Sequence, residues 1–195
     1  MSERPKYFLE KRIDDFAEIR TYFDTKWLTT TAQANDISYI NNYVILMYNK
    51  LVGFINGQNN RNQRIGVTVP LTYNIKSHKD GLIDENSSCK ITMRLYLPEE
   101  LSNNPPKPTT ADISIQSLPK TTFAVIRFGG FPTFSDYLHY RNKLIAKLGD
   151  EASKYDLFNM VIAEYDPPLR NFAYNGERVH VTSPRPNEIW LRKLD

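Results

Sequence analysis

Cysteine occurs once in the 195 residues, at Cys89. No disulfide can form within the chain, so nothing in it demands an oxidising compartment. Histidine occurs three times, at His78, His139 and His180. The three are widely separated, and none has metal-ligand spacing to another. There is no Cys/His zinc pattern and no phosphate-binding glycine loop. Charge of one sign is scarce too. The 25 basic and 22 acidic residues are well mixed and leave a net charge of +3. That excess is too small for a nucleic-acid footprint. Long apolar runs are missing: the longest, near Val44–Met47, is far too short to span a bilayer. The opening Met1-Ser-Glu-Arg-Pro-Lys has no apolar stretch of the signal-peptide kind. The expected location is therefore cytoplasmic, without membrane insertion. No catalytic motif stands out, and no enzyme activity is expected.

What is present reads as globular: 41% hydrophobic and 24% charged residues over a length that suits one domain. The most informative feature is an internal repeat. Phe16-Ala17-Glu18-Ile19-Arg20 recurs as Phe123-Ala124-Val125-Ile126-Arg127. Each copy follows another strand-like run, Tyr7–Lys11 in the first half and Asp112–Gln116 in the second. Turn residues join each pair, so both read as hairpins. A helix follows in each half, over about 38–56 and about 134–148. Thr133 is placed to cap the second helix and Gly149 to stop it. Strands at Gly66–Tyr73 and Met160–Tyr165 come next. Ile91–Leu97 and Glu188–Leu194 close the two halves.

The prolines of Asn103–Pro108 forbid helix and favour an extended linker. The expected organisation is one domain over 1–195, with pseudo-repeats at about 6–98 and 110–195 joined through 103–108. Short strands would leave sheet edges open in either half alone, and pairing the halves closes them. The fold class is thus α+β: a distorted β-barrel of two ββαββ units flanked by two long helices.

The helices differ. At about 100° per residue, the second carries one apolar stripe, Phe134, Tyr137, Leu138, Leu144, Ile145 and Leu148, opposite His139, Tyr140, Asn142 and Lys143. The first has a core stripe through Ile40, Val44, Met47, Leu51 and Phe54 and a second ridge at Ile45, Tyr48 and Val52. These three are spaced i, i+3, i+7 and lie together. A helix on a barrel needs one buried face, so the second ridge must cover a loop, a partner surface or an apolar ligand.

Several segments together resemble the SOUL/haem-binding protein family. They are Tyr7-Phe8-Leu9-Glu10-Lys11 with Phe16–Tyr22 and Lys26-Trp27, then Phe54–Asn59 with Val67–Pro70, and Leu95–Pro98 with Pro105–Pro108. Ile126–Phe131, Tyr165-Asp166-Pro167-Pro168 and Asn187–Leu191 complete the set. The resemblance runs through nearly the whole chain in order. It implies a barrel of the SOUL/GyrI-like kind, with a shallow apolar groove between the first helix and the Tyr-Asp-Pro-Pro loop. Family members bind haem or a related porphyrin there. The ridge of Ile45, Tyr48 and Val52 falls on that face. The expected cofactor-binding set is Ile45, Tyr48, Lys50, Val52, Pro168, Leu169 and Arg170, with Lys50 and Arg170 as basic partners for the propionates. Haem is expected non-covalently, without a clear axial ligand.

The chain departs from the family at points that bear on iron. Thr21 stands where some members have a proposed histidine ligand. Ile45 and Gly53 replace basic residues, Glu164 replaces a small one, and Pro186 stands where a basic residue is common. Residues 171–183 form a longer segment, with a turn signal at Asn175-Gly176 and with His180 as a remote candidate ligand.

Two other functions fit the resemblance. Some relatives are linked to cell-death signalling and mitochondrial partners, which would make the ridge a protein-interaction surface. Paired ββαββ units also occur in GyrI-like small-molecule domains, some of which hydrolyse reactive ligands. Glu164 would then be a general base near the groove, or else simply point outward on an alternating strand.

Overall fold

The fold is taken from a computed structural model, which describes residues 2–35, 40–77, 88–166 and 186–195. The first half runs β1 (Tyr7–Arg12), β2 (Ala17–Tyr22), β3 (Thr25–Ala34), α1 (Ile40–Ile55), β4 (Leu71–Ser77) and β5 (Cys89–Tyr96). The second runs β6 (Ile113–Leu118), β7 (Thr121–Gly129), α2 (Phe134–Leu148), β8 (Val161–Glu164) and β9 (Pro186–Arg192). The strands form one nine-stranded sheet in the order β1-β2-β7-β9-β8-β4-β5-β3-β6. Its eight pairings are all antiparallel. The expected distorted barrel is an open, curled half-barrel with β1 and β6 at its edges.

Alternation along the strands explains the two faces. Tyr73, Ile75, Ile91, Met93, Ile126, Ile162, Ile189 and Leu191 are all buried and belong to the main core under the helices. α1 packs on β3 and β5, and α2 on β7 and β9. Residues of opposite parity make a smaller cluster on the other face, through Tyr22, Val125, Ala163 and Trp190. Both faces of the central strands are therefore dry.

The hairpin expected in the second half does not form. β1 and β2 pair as anticipated, but β6 pairs with β3, and β7 with β2 and β9. Each short link, at 23–24 and at 119–120, is a corner where the chain crosses between the halves. The corners brace one another: the Lys120 N–H donates to the Asp24 carboxylate at 2.6 Å. Phe16–Arg20 and Phe123–Arg127, alike in sequence, lie side by side and pair, Ala17 opposite Ile126 and Ile19 opposite Ala124. The sheet order reads the same from either end when β2–β5 is set against β6–β9, with β1 as an addition.

Local chemistry sets the helix ends. Thr133 caps α2 in a reciprocal box with Asp136, and Gly149 follows its last residue. α1 ends at Gly57, whose φ of 110° suits glycine. The Gln58 N–H donates to the Gly53 carbonyl at 3.0 Å and the Gly57 N–H to that of Phe54 at 3.1 Å, a Schellman closure. Asn59 locks the turn beyond. Its buried Nδ2 donates to the carbonyls of Phe54 (3.0 Å) and Gln63 (2.7 Å), while Oδ1 accepts the N–H groups of Arg61 and Gln63. Asn59→Ala leaves the Gln63 carbonyl and the N–H groups of Arg61 and Gln63 short of this partner, while the Phe54 carbonyl keeps the Gly57 N–H. Urea unfolding is expected to show a loss of about 2–3 kcal/mol, and a loss below about 0.5 kcal/mol would deny the lock.

β4 begins later than the sequence pattern suggested. Pro70 cannot donate to a ladder, and the Val69 N–H is taken by the Glu3 carbonyl at 3.0 Å. Pairing therefore starts at Leu71.

Candidate functional site

α1 is the helix with apolar residues to spare, and its environment divides them. Val44, Met47, Leu51 and Phe54 are sealed in the core. Val52 is partly buried against that core, and Ile45 is partly buried without belonging to it. Tyr48, between them on the ridge, is 8% exposed. Leu46, on the other flank, is 61% exposed and was not singled out from the sequence. Lys50 is exposed and pairs with Asp112 at 2.6 Å. Pro168, Leu169 and Arg170 lie outside the described residues, as do His78, His180 and the 171–183 segment. His139 is exposed on α2.

Beneath the ridge is a small cavity, about 10 Å³, lined by Tyr48 and Ile55 of α1, by Val67–Val69 and by Glu164 at the end of β8. It has room for about one water. It also shows that the ridge borders the point where the chain leaves β8 toward Tyr165. Tyr48 and Glu164 share this cavity wall, so α1 and the start of the Tyr-Asp-Pro-Pro segment are neighbours.

Glu164 does not point outward. It has the parity of Ile162 and lies opposite Leu71, on the helix side of the sheet. Its carboxylate is buried, and Oε1 accepts from the hydroxyls of Tyr73 and Tyr137, each at 2.9 Å. The two hydroxyls are 3.2 Å apart. Burial, reinforced by the Glu164 charge, raises the Tyr73 phenol well above its ordinary value. The carboxylate is thus held by two donors at the base of the α1 face. The signal was in the sequence: two residues after a core isoleucine on a strand is the core side again.

Thr21, in the position of a proposed iron ligand, is buried. Its hydroxyl donates to Glu10 at 2.7 Å and meets the Thr122 hydroxyl at 2.7 Å. It offers iron nothing. Among the described residues there is no cluster of three or more His, Cys, Asp or Glu side chains able to hold a metal. Nor is any described helix long and apolar enough to cross a membrane.

A second polar cluster was not anticipated. On the sheet face away from the helices, Arg20 is 2% exposed and lies between Glu18 and Glu188, both also buried. Arg127, half-exposed, reaches Glu18 at 2.6 Å. Charged residues that alternate with Ala17 and Ile19 along a strand would ordinarily face water. Glu18 and Arg20 are covered because β1, β2 and β9 bring Tyr7, Tyr22 and Trp190 over them.

A curled antiparallel sheet with one helix on each half is the GyrI-like architecture. Solved structures share it. EcmrR in an EcmrR–DNA complex superposes with a TM-score of 0.55 at 10% identity, covering 92% of this chain and 57% of that one. A hydrolase from Listeria innocua gives 0.50 at 14% identity, over 90% of both chains. The sequence then narrows the class. The family model described as SOUL heme-binding protein matches residues 2–192, and the chain belongs to that family. Its relatives include Heme-binding protein 1 of Xenopus laevis, 25% identical over 90% of this chain and 83% of the relative. Heme-binding protein 2 of Homo sapiens is 26% identical over 89% of this chain and 76% of the relative.

Proposed function

We propose that this protein binds haem or a related tetrapyrrole, non-covalently and without catalysis, against the outer ridge of α1. The observation that carries the reading is the face of α1 where Ile45 and Val52 are half-buried and Tyr48 is buried between them, beside the exit of β8, in a chain whose relatives are named heme-binding proteins. The fit is of a particular kind. The cavity under the ridge is too small for a macrocycle, so the ring would lie flat on the helix surface. Ile45 and Val52 would supply apolar contact and the Tyr48 ring an edge. Pro168 and Leu169 would cover the far side, and Arg170 would take a propionate. Lys50, four residues after Leu46 and so on that flank, is left to its exposed pair with Asp112. The bound group would bring redox and ligand-exchange chemistry at its iron, with no axial base from the described part of this face.

A buried valine contributes about 1.5–3 kcal/mol. Val52→Asp removes that contact and sets a charge beside the propionates. Titration with hemin is expected to give a saturable Soret shift at micromolar protein, with at least about tenfold weaker binding for Val52→Asp. Protoporphyrin IX should bind comparably, since the ring and not the metal is recognised. A wild-type protein without a saturable shift would sink the reading. An unchanged Val52→Asp variant would move the site elsewhere.

A second reading rests on the exposure of Leu46 on the same helix. α1 would then dock a protein partner of the cell-death or mitochondrial kind. Association abolished by Leu46→Asp, with hemin binding intact, would favour it. A hydrolase reading would use Glu164 as base. The two tyrosine hydroxyls on its Oε1 instead suit a structural acceptor, and turnover abolished by Glu164→Gln would be needed to revive it.

A further inference from the structure

A cavity larger than the one under α1 lies on the opposite face of the sheet and measures about 180 Å³. The N-terminal segment brings Arg4 to it, β2 brings Arg20 and β7 brings Arg127. Tyr7, Tyr22 and Tyr165 form its aromatic walls, with Glu188 among them.

Its size sets the first limit. A cavity of about 150 Å³ accepts one benzene ring. A tetrapyrrole cannot enter, so this site stands apart from the α1 reading.

Its charge sets the second. The guanidinium of Arg20 is spent inside the protein. It donates to Glu18 at 2.9 Å, to the Tyr22 hydroxyl at 3.1 Å and to Glu188 at 3.1 Å, and it lies against the Tyr7 ring at 4.6 Å. Arg127 neutralises Glu18 at 2.6 Å and approaches Glu188 at 3.7 Å. Two guanidinium groups and two carboxylates therefore cancel. Arg4 is the remaining charge. It is exposed, lies over the Tyr165 ring at 4.9 Å and has no carboxylate partner among the described residues. Arg127, half-exposed, turns part of its fork to the same cavity. The hollow is thus aromatic in its walls, fixed in its floor and positive at its mouth.

We propose that it binds a small planar anion, a carboxylate carried on a single aromatic ring. The ring sits among the three tyrosines, where edge and face contacts are both available. The carboxylate meets Arg4, with the outer edge of Arg127 beside it, and planar guanidinium groups match carboxylates in geometry as well as charge. A cation of the same shape is repelled by the net charge. A neutral amide fills the space without using Arg4.

Benzoate, benzamide and benzamidine share one ring and differ in charge. In titrations of the full chain followed by ¹H–¹⁵N NMR, benzoate is expected to give saturable shifts. They should include the Trp190 indole N–H, which donates to Glu188 behind the cavity wall at 2.7 Å. Benzamide should bind at least about tenfold more weakly and benzamidine not at all. Arg4→Gln removes an exposed side chain, so melting and hemin binding should stay as in the wild type while benzoate weakens about tenfold. Arg127→Lys keeps the charge, loses the fork and should weaken benzoate as well. The proposal fails if benzoate gives no saturable shift at about 10 mM, beyond the weak end of specific affinity. It also fails if benzamide matches benzoate, or if Arg4→Gln binds benzoate as tightly as the wild type.

Discussion

Arg20→Ala is expected to destabilise the protein by about 3–5 kcal/mol, a large part of the margin of an ordinary domain. The side chain is almost fully buried although it ends in a charged guanidinium. It satisfies Glu18 through Nε and Glu188 through both terminal nitrogens. Glu188 also accepts from the Tyr165 hydroxyl at 2.8 Å and from the Trp190 indole at 2.7 Å. Alanine leaves two carboxylates in a dry site with half-exposed Arg127, and Arg12 at 3.7 Å from Glu18, as the cations against them. Burial pushes the Glu18 carboxyl up, and the hydrogen bonds from Arg20 and Arg127 outweigh it, holding the group below its ordinary value. That sign gives an acid limb as well. The stabilisation is present above the ordinary carboxylate range and is lost as pH falls below it. In Arg20→Ala that limb should shrink or invert. Urea unfolding from pH 7 down to pH 3 reads both effects. A loss below about 1 kcal/mol at pH 7 would mean that the cluster is solvated like a surface pair.

This cluster marks where sequence reading stops. α2 was legible to the residue because its signals are local: Thr133 with Asp136 at one end, Gly149 at the other, one apolar stripe between. α1 was legible from its periodicity, but Tyr48, read as part of an outer ridge, is buried in the main core. β3 was not seen. Trp27, Leu28, Thr29 and Thr30 are all buried in succession, so no alternation announces a strand, and Thr29-Thr30-Thr31 reads as polar. The swapped corners escaped because a short link with Pro119 and Lys120 looks the same whether the chain turns back or crosses over. Phe16–Arg20 and Phe123–Arg127 are alike in sequence and are paired neighbours in the sheet, yet Arg20 is buried and Arg127 half-exposed. Glu18 and Arg20 alternate with Ala17 and Ile19, as exposed residues would. Only the long-range approach of Glu188, Tyr22 and Trp190 makes their face dry. Of the candidate ligand face, the α1 residues were legible from periodicity. The Glu164–Tyr73–Tyr137 contact joins β8, β4 and α2, and no local pattern encodes it.

The same dry interiors govern the alkaline limit, where the second large effect is expected. Burial, first among the causes, raises the phenols of Tyr22, Tyr73 and Tyr165 well above their ordinary value near 10. The nearby carboxylates of Glu188 and Glu164 add to it. Tyr96 is pushed up to about 12 by burial and by Glu3 and Glu99. An acid held protonated in the folded state stabilises it fully below the unfolded value. The benefit is lost as pH rises through the folded value, because the unfolded chain releases its protons first. One pH unit above the unfolded value is worth about 1.4 kcal/mol for each such group. The three most buried phenols together therefore remove about 4 kcal/mol at pH 11. The melting temperature should be flat to about pH 10 and then fall steeply. Tyrosinate absorbance should lag behind the free-tyrosine curve and rise together with unfolding. Tyr73→Phe should soften the fall, since it takes one of the three phenols out of the titration. A protein that ionises all its tyrosines near pH 10 while still folded would contradict the burial on which both faces of the sheet depend.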